Sequence, residues 1–132
     1  MVSDRGSTPG HDLRDYLTRY PSEIAFGDEE PGAVFDRYHT PDFVLFNDGL
    51  PLRREQLLAH VRPARKNAAS VHTEVHEIVT RDDRVAARYT LTAVMRKGQV
   101  VATEIFMFGQ LADDGRLHRM DQLTRTLPDD QD

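Results

Sequence analysis

Residues 84–127 read RVAARYTLTAVMR (84–96), KG (97–98), QVVATEIFMFGQL (99–111), ADDG (112–115) and RLHRMDQLTRTL (116–127). Three runs of twelve or thirteen residues, rich in β-branched and aromatic side chains, are separated by two polar turns that end in glycine. That pattern predicts three long antiparallel strands in a meander. Such strands exceed the usual length of about five or six residues and must twist and curl, which gives the sheet a hollow side.

Loop length decides which residues share that side. Lys97-Gly98 fits a two-residue hairpin turn with positive φ at glycine, which sets Arg96 opposite Gln99. Counting back pairs Thr92 with Thr103, Thr90 with Ile105 and Arg88 with Met107, while Tyr89 meets Phe106 on the reverse. A four-residue second loop pairs Met107 with Met120 and Ile105 with Gln122; a three-residue loop inverts this second assignment. On the four-residue count one face carries Arg88, Thr90, Thr92, Thr103, Ile105, Met107, His118, Met120, Gln122 and Thr124. The other carries Tyr89, Leu91, Met95, Glu104, Phe106, Phe108, Leu117, Arg119, Asp121 and Leu123. Neither is a plain polar row, so both faces have something to cover.

A chain of 132 residues is long enough for one core and too short for two. It has no cysteine, which excludes disulfide and thiolate chemistry. A net charge of -5 and a pI near 5.6 argue against nucleic acid as a partner. No signal-like or membrane-spanning apolar run is visible, so no membrane partner and a cytoplasmic location are expected. Residues 12–127 are read as a single domain, with 1–11 and 128–132 as flexible tails.

Upstream of the meander, Leu13, Tyr16, Leu17, Tyr20 and Ile24 recur at helical spacing. Pro21 either kinks this helix or begins a new one. A second helix is expected over Pro31 to His39 and a short strand over Phe43 to Phe46, followed by a turn at Asn47-Asp48-Gly49 and an edge piece at 50–52. A third helix over Arg54 to Arg62 is ended by Pro63. Val71 to Thr80 alternates as a fourth long strand. The order predicts an α+β fold: a curved antiparallel sheet with three N-terminal helices, forming a cone with a pocket between the layers.

The stretches YHTPDFVLFNDG (38–49), REQLLAHV (54–61), RVAARYTL (84–91) and DDGRL (113–117) resemble the SnoaL-like branch of the nuclear-transport-factor-2-like superfamily. That branch is related to polyketide cyclases, ketosteroid isomerases and limonene epoxide hydrolases. The resemblance implies the cone fold and a small, mostly apolar ligand. Tyr20 matches the isomerases' tyrosine donor, but Asn47 stands at their base, with Asp48 adjacent, and Met107 at their protonated aspartate. Arg88 matches an arginine of the epoxide hydrolases, while Thr90 and Gln122 replace their two aspartates. An amide abstracts no proton and a thioether donates none.

Two readings follow. In the first, an isomerase, cyclase or hydrolase acts on a carbonyl or epoxide compound, with Tyr20 and Arg88 as donors and Asp48 as base. Substrate then rests on Asn47, Thr90, Thr92, Met107, His118, Met120 and Gln122. His118 lies near the pocket mouth or merely on a turn. In the second, the same fold binds a ligand or a protein without turnover. His72, Glu74 and His76 share a strand face, but their spacing of about 6.5–7 Å reads as an exposed polar row rather than a metal site. No cofactor is implied. The convex face, with its phenylalanines, predicts a homodimer.

Overall fold

The computed structural model describes residues 7–128, so the expected tail segments 1–6 and 129–132 lie outside the described residues. Residues 7–11 pack against the body: Pro9 is buried, and the Gly10 N–H donates to the Gly115 carbonyl at 2.8 Å.

Helix α1 (Leu13–Phe26) starts where the Asp12 carboxylate accepts the Asp15 N–H at 3.0 Å, a cap of a type worth about 1 kcal/mol. It runs through Pro21 as one helix and ends where the Gly27 N–H returns to the Glu23 carbonyl. Helix α2 (Pro31–Tyr38) uses Pro31 in its first turn, where no N–H is needed. The chain passes directly into β1 (His39–Asn47), which is longer than the expected Phe43–Phe46. After β2 (Leu50–Arg53) come α3 (Arg54–Ala59) and α4 (Val61–Asn67). The third helix is thus two short pieces broken at His60. Pro63 sits in the first turn of α4 and does not terminate a helix, because the first turn leaves its N–H groups unpaired anyway.

Strands β3 (Ala68–Arg81), β4 (Arg84–Met95), β5 (Val100–Leu111) and β6 (Leu117–Thr126) complete a six-stranded sheet in the order β2-β1-β6-β5-β4-β3. The predicted meander is present. The sheet is mixed rather than wholly antiparallel, because β1 runs parallel to β6. Their register shifts between His39 and Val44, around Pro41, which has no N–H for the ladder.

The register of β4 against β5 departs from the sequence count by one residue. The Met95 N–H donates to the Gln99 carbonyl at 2.7 Å and the Gly98 N–H to the Met95 carbonyl at 2.8 Å, so the loop is Arg96-Lys97-Gly98. Gly98 takes the left-handed position with φ 93°. Arg88 therefore pairs with Phe106, Thr90 with Glu104 and Tyr89 with Ile105. A one-residue slip turns every side chain of the strand over. Arg88, Thr90 and Thr92 lie on the outer face, and Tyr89, Leu91 and Met95 on the inner one, opposite to expectation.

The second loop departs in the other sense: Asp113-Asp114-Gly115 is one residue shorter than expected, closed by the Ala112 N–H on the Arg116 carbonyl. Here a bulge restores the expected face but not the expected pairs, since Met107 pairs with Gln122 and Ile105 with Thr124 rather than with Met120 and Gln122. Leu111 pairs with Leu117 but Gln110 with Arg119, so His118 is an extra residue on β6. Met120, Gln122 and Thr124 thereby stay on the face of Met107, as predicted.

The core lies between the helices and this inner face. Leu13, Tyr16 and Leu17 from α1 and Val34, Phe35 and Tyr38 from α2 meet Phe43, Leu45, Val85, Ala87, Tyr89, Ile105, Met107, Leu117 and Met120. Each such large side chain contributes about 1.5–3 kcal/mol by leaving water.

Candidate functional site

Burial on the inner face is uneven along the strands. Val85, Ala87, Tyr89, Ile105, Met107 and Met120 are buried beneath the helices, whereas Leu91, Ala93, Thr103, Gln122 and Thr124 are half-buried. The less covered end is the mouth of this face. Its rim is built by β1 and β6: Asn47 pairs with Gln122, and Gln122 Nε2 donates to Asn47 Oδ1 at 2.9 Å. The next residue, Asp48, turns the chain with φ 50°, and its carboxylate accepts from the Thr124 N–H at 2.9 Å and the Thr124 hydroxyl at 2.7 Å. Those bonds hold its carboxyl below the usual range, so it is a weak base.

All four tyrosines of the chain sit on the inner side. Tyr20 stacks on Tyr16 with ring centroids 5.4 Å apart and meets Tyr38 edge-on at 5.5 Å. Burial pushes the hydroxyls of Tyr16, Tyr20 and Tyr89 well up, and that of Tyr38 to about 12, so all remain donors at neutral pH. Tyr38 donates to the Glu23 carboxylate. Tyr16 is bonded to His39 Nε2 at 2.8 Å, a buried pair absent from the sequence reading. The helical spacing of Tyr16 and Tyr20 was its one legible signal. Thr73 also faces inward from β3; its buried hydroxyl lacks a hydrogen-bond partner among the described residues, an arrangement that costs about 1–3 kcal/mol.

Of the residues predicted for the site, Asn47, Asp48 and Gln122 come together at the rim. Met107 and Met120 are in the packed core beneath. Tyr20 is half-buried on α1. Arg88 is on the opposite side of the sheet, paired with Glu77 at 3.0 Å and Glu104 at 3.2 Å, and Thr90 and Thr92 share that side. Thr90 instead meets His76 Nε2 at 2.7 Å. His118 lies at the far end of β6, 3.4 Å from Asp42, because the bulge falls there. Among the described residues no group of three His, Cys, Asp or Glu side chains is arranged to hold a metal, and no helix is long and apolar enough to cross a membrane.

The outer face is apolar at its centre. Phe106, Phe108 and Leu123 are 47, 71 and 65 % exposed, and Phe106 and Phe108 line two adjoining grooves, one toward Val79 and Ala86, the other toward Phe46. Charged pairs flank it. Arg119 reaches Asp121 at 3.2 Å and stacks over Phe46, and Arg125 holds Glu104 at 2.9 Å. Glu104 and the Arg119–Asp121 pair, all counted onto one face from the sequence, thus belong to two separate sets.

A curved mixed sheet with helices on one side and residues 17–120 matching the SnoaL-like domain model decide the family. The chain belongs to the SnoaL-like domain family. Solved SnoaL-like and related structures agree in fold. The candidate polyketide cyclase IdmH of Streptomyces antibioticus is 17 % identical, with a TM-score of 0.65 over 89 % of this chain and 92 % of that one. A candidate SnoaL-like polyketide cyclase of Jannaschia sp. CCS1 is 18 % identical, with a TM-score of 0.63 over 94 and 90 %. A candidate isomerase of the SnoaL-like family from Agrobacterium tumefaciens str. C58 is 8 % identical, with a TM-score of 0.58 over 81 and 92 %. No curated protein matches the chain by sequence.

Proposed function

We propose that this SnoaL-like domain holds a small, mostly apolar molecule at the less covered end of its inner face. The observation that carries the reading is the composition of that face. Leu91, Ala93 and Ile105 form an apolar floor, the Asn47–Gln122 amides supply fixed polar groups, and the inward positions of β3 to β6 carry no charged side chain. Apolar concave sites with a few placed polar groups are the usual form of small-molecule pockets.

Binding without turnover is favoured over isomerase, cyclase or hydrolase chemistry. Such chemistry needs a base, and Asp48, the carboxylate beside the amides, is engaged by Thr124 with its basicity lowered. Arg88, on the other face, has no part. The named cyclases and isomerase lend the fold, and their activities are not carried over.

Native mass spectrometry of the protein purified under gentle conditions, with titration of 2-methylnaphthalene, tests the reading. Ala93→Phe, which fills the mouth, is expected to abolish binding, and Arg88→Met to leave it unchanged. Binding that survives Ala93→Phe in a folded protein puts the ligand elsewhere and overturns the proposal.

We also propose a homodimer through the outer face. Its apolar centre is flanked by both charge signs, Arg88, Arg119 and Arg125 with Glu77, Glu104 and Asp121, so one copy complements another related by a two-fold axis.

A further inference from the structure

We infer that the Asn47–Gln122 pair is a recognition edge for an uncharged ligand group that sets a hydrogen-bond acceptor beside a donor, as a lactam, a cis amide or an enolised 1,3-dicarbonyl does. The inference rests on the mouth being a ligand site. Parallel register sets Asn47 directly beside Gln122, and one hydrogen bond of 2.9 Å joins their side chains. A carboxamide has two N–H donors and a carbonyl oxygen with two lone pairs. The bond engages one donor of Gln122 and one lone pair of Asn47. The Asn47 amide nitrogen and the Gln122 carbonyl oxygen remain, a donor next to an acceptor. Exchanging nitrogen and oxygen in both side chains makes Asn47 the donor within the pair and again leaves one donor beside one acceptor. The edge is the same either way.

The pair is held from behind. The Asp48 N–H donates to the Gln122 backbone carbonyl at 2.9 Å, and the Asp48 carboxylate anchors Thr124 two residues further along β6. Both amides are half-buried, neither sealed in the core nor fully solvated. Around them the inner face is apolar or hydroxyl-bearing. A ligand carboxylate entering it loses solvation and gains no opposite charge, and the one nearby carboxylate, Asp48, is already engaged by Thr124. A neutral group with both halves of the pattern is matched at both; a ligand with an acceptor alone leaves the protein's own acceptor facing no donor.

The test titrates 2-quinolone, whose lactam carries C=O beside N–H, and N-methyl-2-quinolone into the wild type, Gln122→Met and Asn47→Leu, read by ligand fluorescence. The wild type is expected to bind 2-quinolone at least tenfold more tightly than its N-methyl form, and each variant to lose most of that preference, because the remaining amide is no longer fixed by its partner. Circular dichroism establishes that a variant is folded, and Asn47→Leu serves if Gln122→Met is not. Equal binding of both probes by the wild type overturns the inference and leaves the ligand site standing. A preference undiminished in the folded variants also overturns it, since the pairing of the two amides then plays no part in reading the lactam. If 2-methylnaphthalene binds and neither quinolone does, the edge is wrong; if none of the three binds, the ligand site falls with it.

Discussion

Tyr16 donates its hydroxyl hydrogen to Nε2 of His39 across 2.8 Å of buried core. The direction follows from a second bond: His39 Nδ1 lies 2.9 Å from the Phe35 carbonyl, which only accepts, so Nδ1 carries the ring hydrogen and Nε2 is the acceptor. Burial lowers the His39 pKa to about 4, against smaller opposing effects of the Phe35 carbonyl and Asp36. In the unfolded chain the same ring titrates near 6.5. Between those values the unfolded state binds the proton and the folded state does not. Its contribution to stability is therefore complete above pH 6.5 and is lost as pH falls toward 4, about 3 kcal/mol in all. Urea unfolding from pH 7.5 to 4.5 is expected to show a steeper acid loss in the wild type than in His39→Leu. Equal slopes would exclude His39 as the source.

The loop that turned β4 over gives a second prediction. Gly98 has φ 93°, and nothing lies within 4 Å of the position a Cβ would take. Gly98→Ala therefore meets no clash and loses only the left-handed backbone preference, about 1–2 kcal/mol in denaturant unfolding. Deleting Lys97 is a harsher change. A two-residue loop would bring Arg88 to the inner face in place of Ala87 or Tyr89, and loss of the cooperative thermal transition is expected. A stable, folded deletion variant would show that the turn does not set the register.

Phe106 lies near the middle of the outer apolar strip, beside Arg88 and Leu123 in the ladder. Light scattering is expected to give a dimer mass for the wild type and a monomer mass for Phe106→Arg, with the far-ultraviolet spectrum unchanged because the position is exposed. A monomeric wild type would defeat the proposed assembly, as would a folded Phe106→Arg protein that stays dimeric.

Asp48 separates a structural from a chemical role. Asp48→Asn keeps a residue that tolerates positive φ and weakens the bonds to Thr124. A thermal midpoint lower by a few degrees is expected, with weaker binding of any mouth ligand. If the midpoint is unchanged while a measurable turnover is lost, Asp48 is a base after all.

The sequence by itself determined which stretches become strands and helices in what order, where α1 and α2 begin, the α+β class and the family. These follow from features local to the chain: apolar spacing, Asp12 and Pro31 at helix starts, and Gly98 and Gly115 at turns. It also brought Asn47, Asp48 and Gln122 forward as candidates, though only by likeness to other sites. Which face each strand shows was decided by the tertiary structure. Side chains alternate with period two, so one residue more in the Arg96-Lys97-Gly98 loop exchanges Arg88 for Tyr89, and on β6 a shorter loop followed by a bulge at His118 leaves the faces as counted while shifting the pairs by two. Neither changes the hydrophobic pattern enough to be read beforehand. The parallel pairing of β1 with β6 joins residues 75 apart in sequence, and only that long-range contact sets Asn47 against Gln122. Local propensity fixes elements within a few residues; a site made by distant strands depends on registers that only the packed sheet establishes.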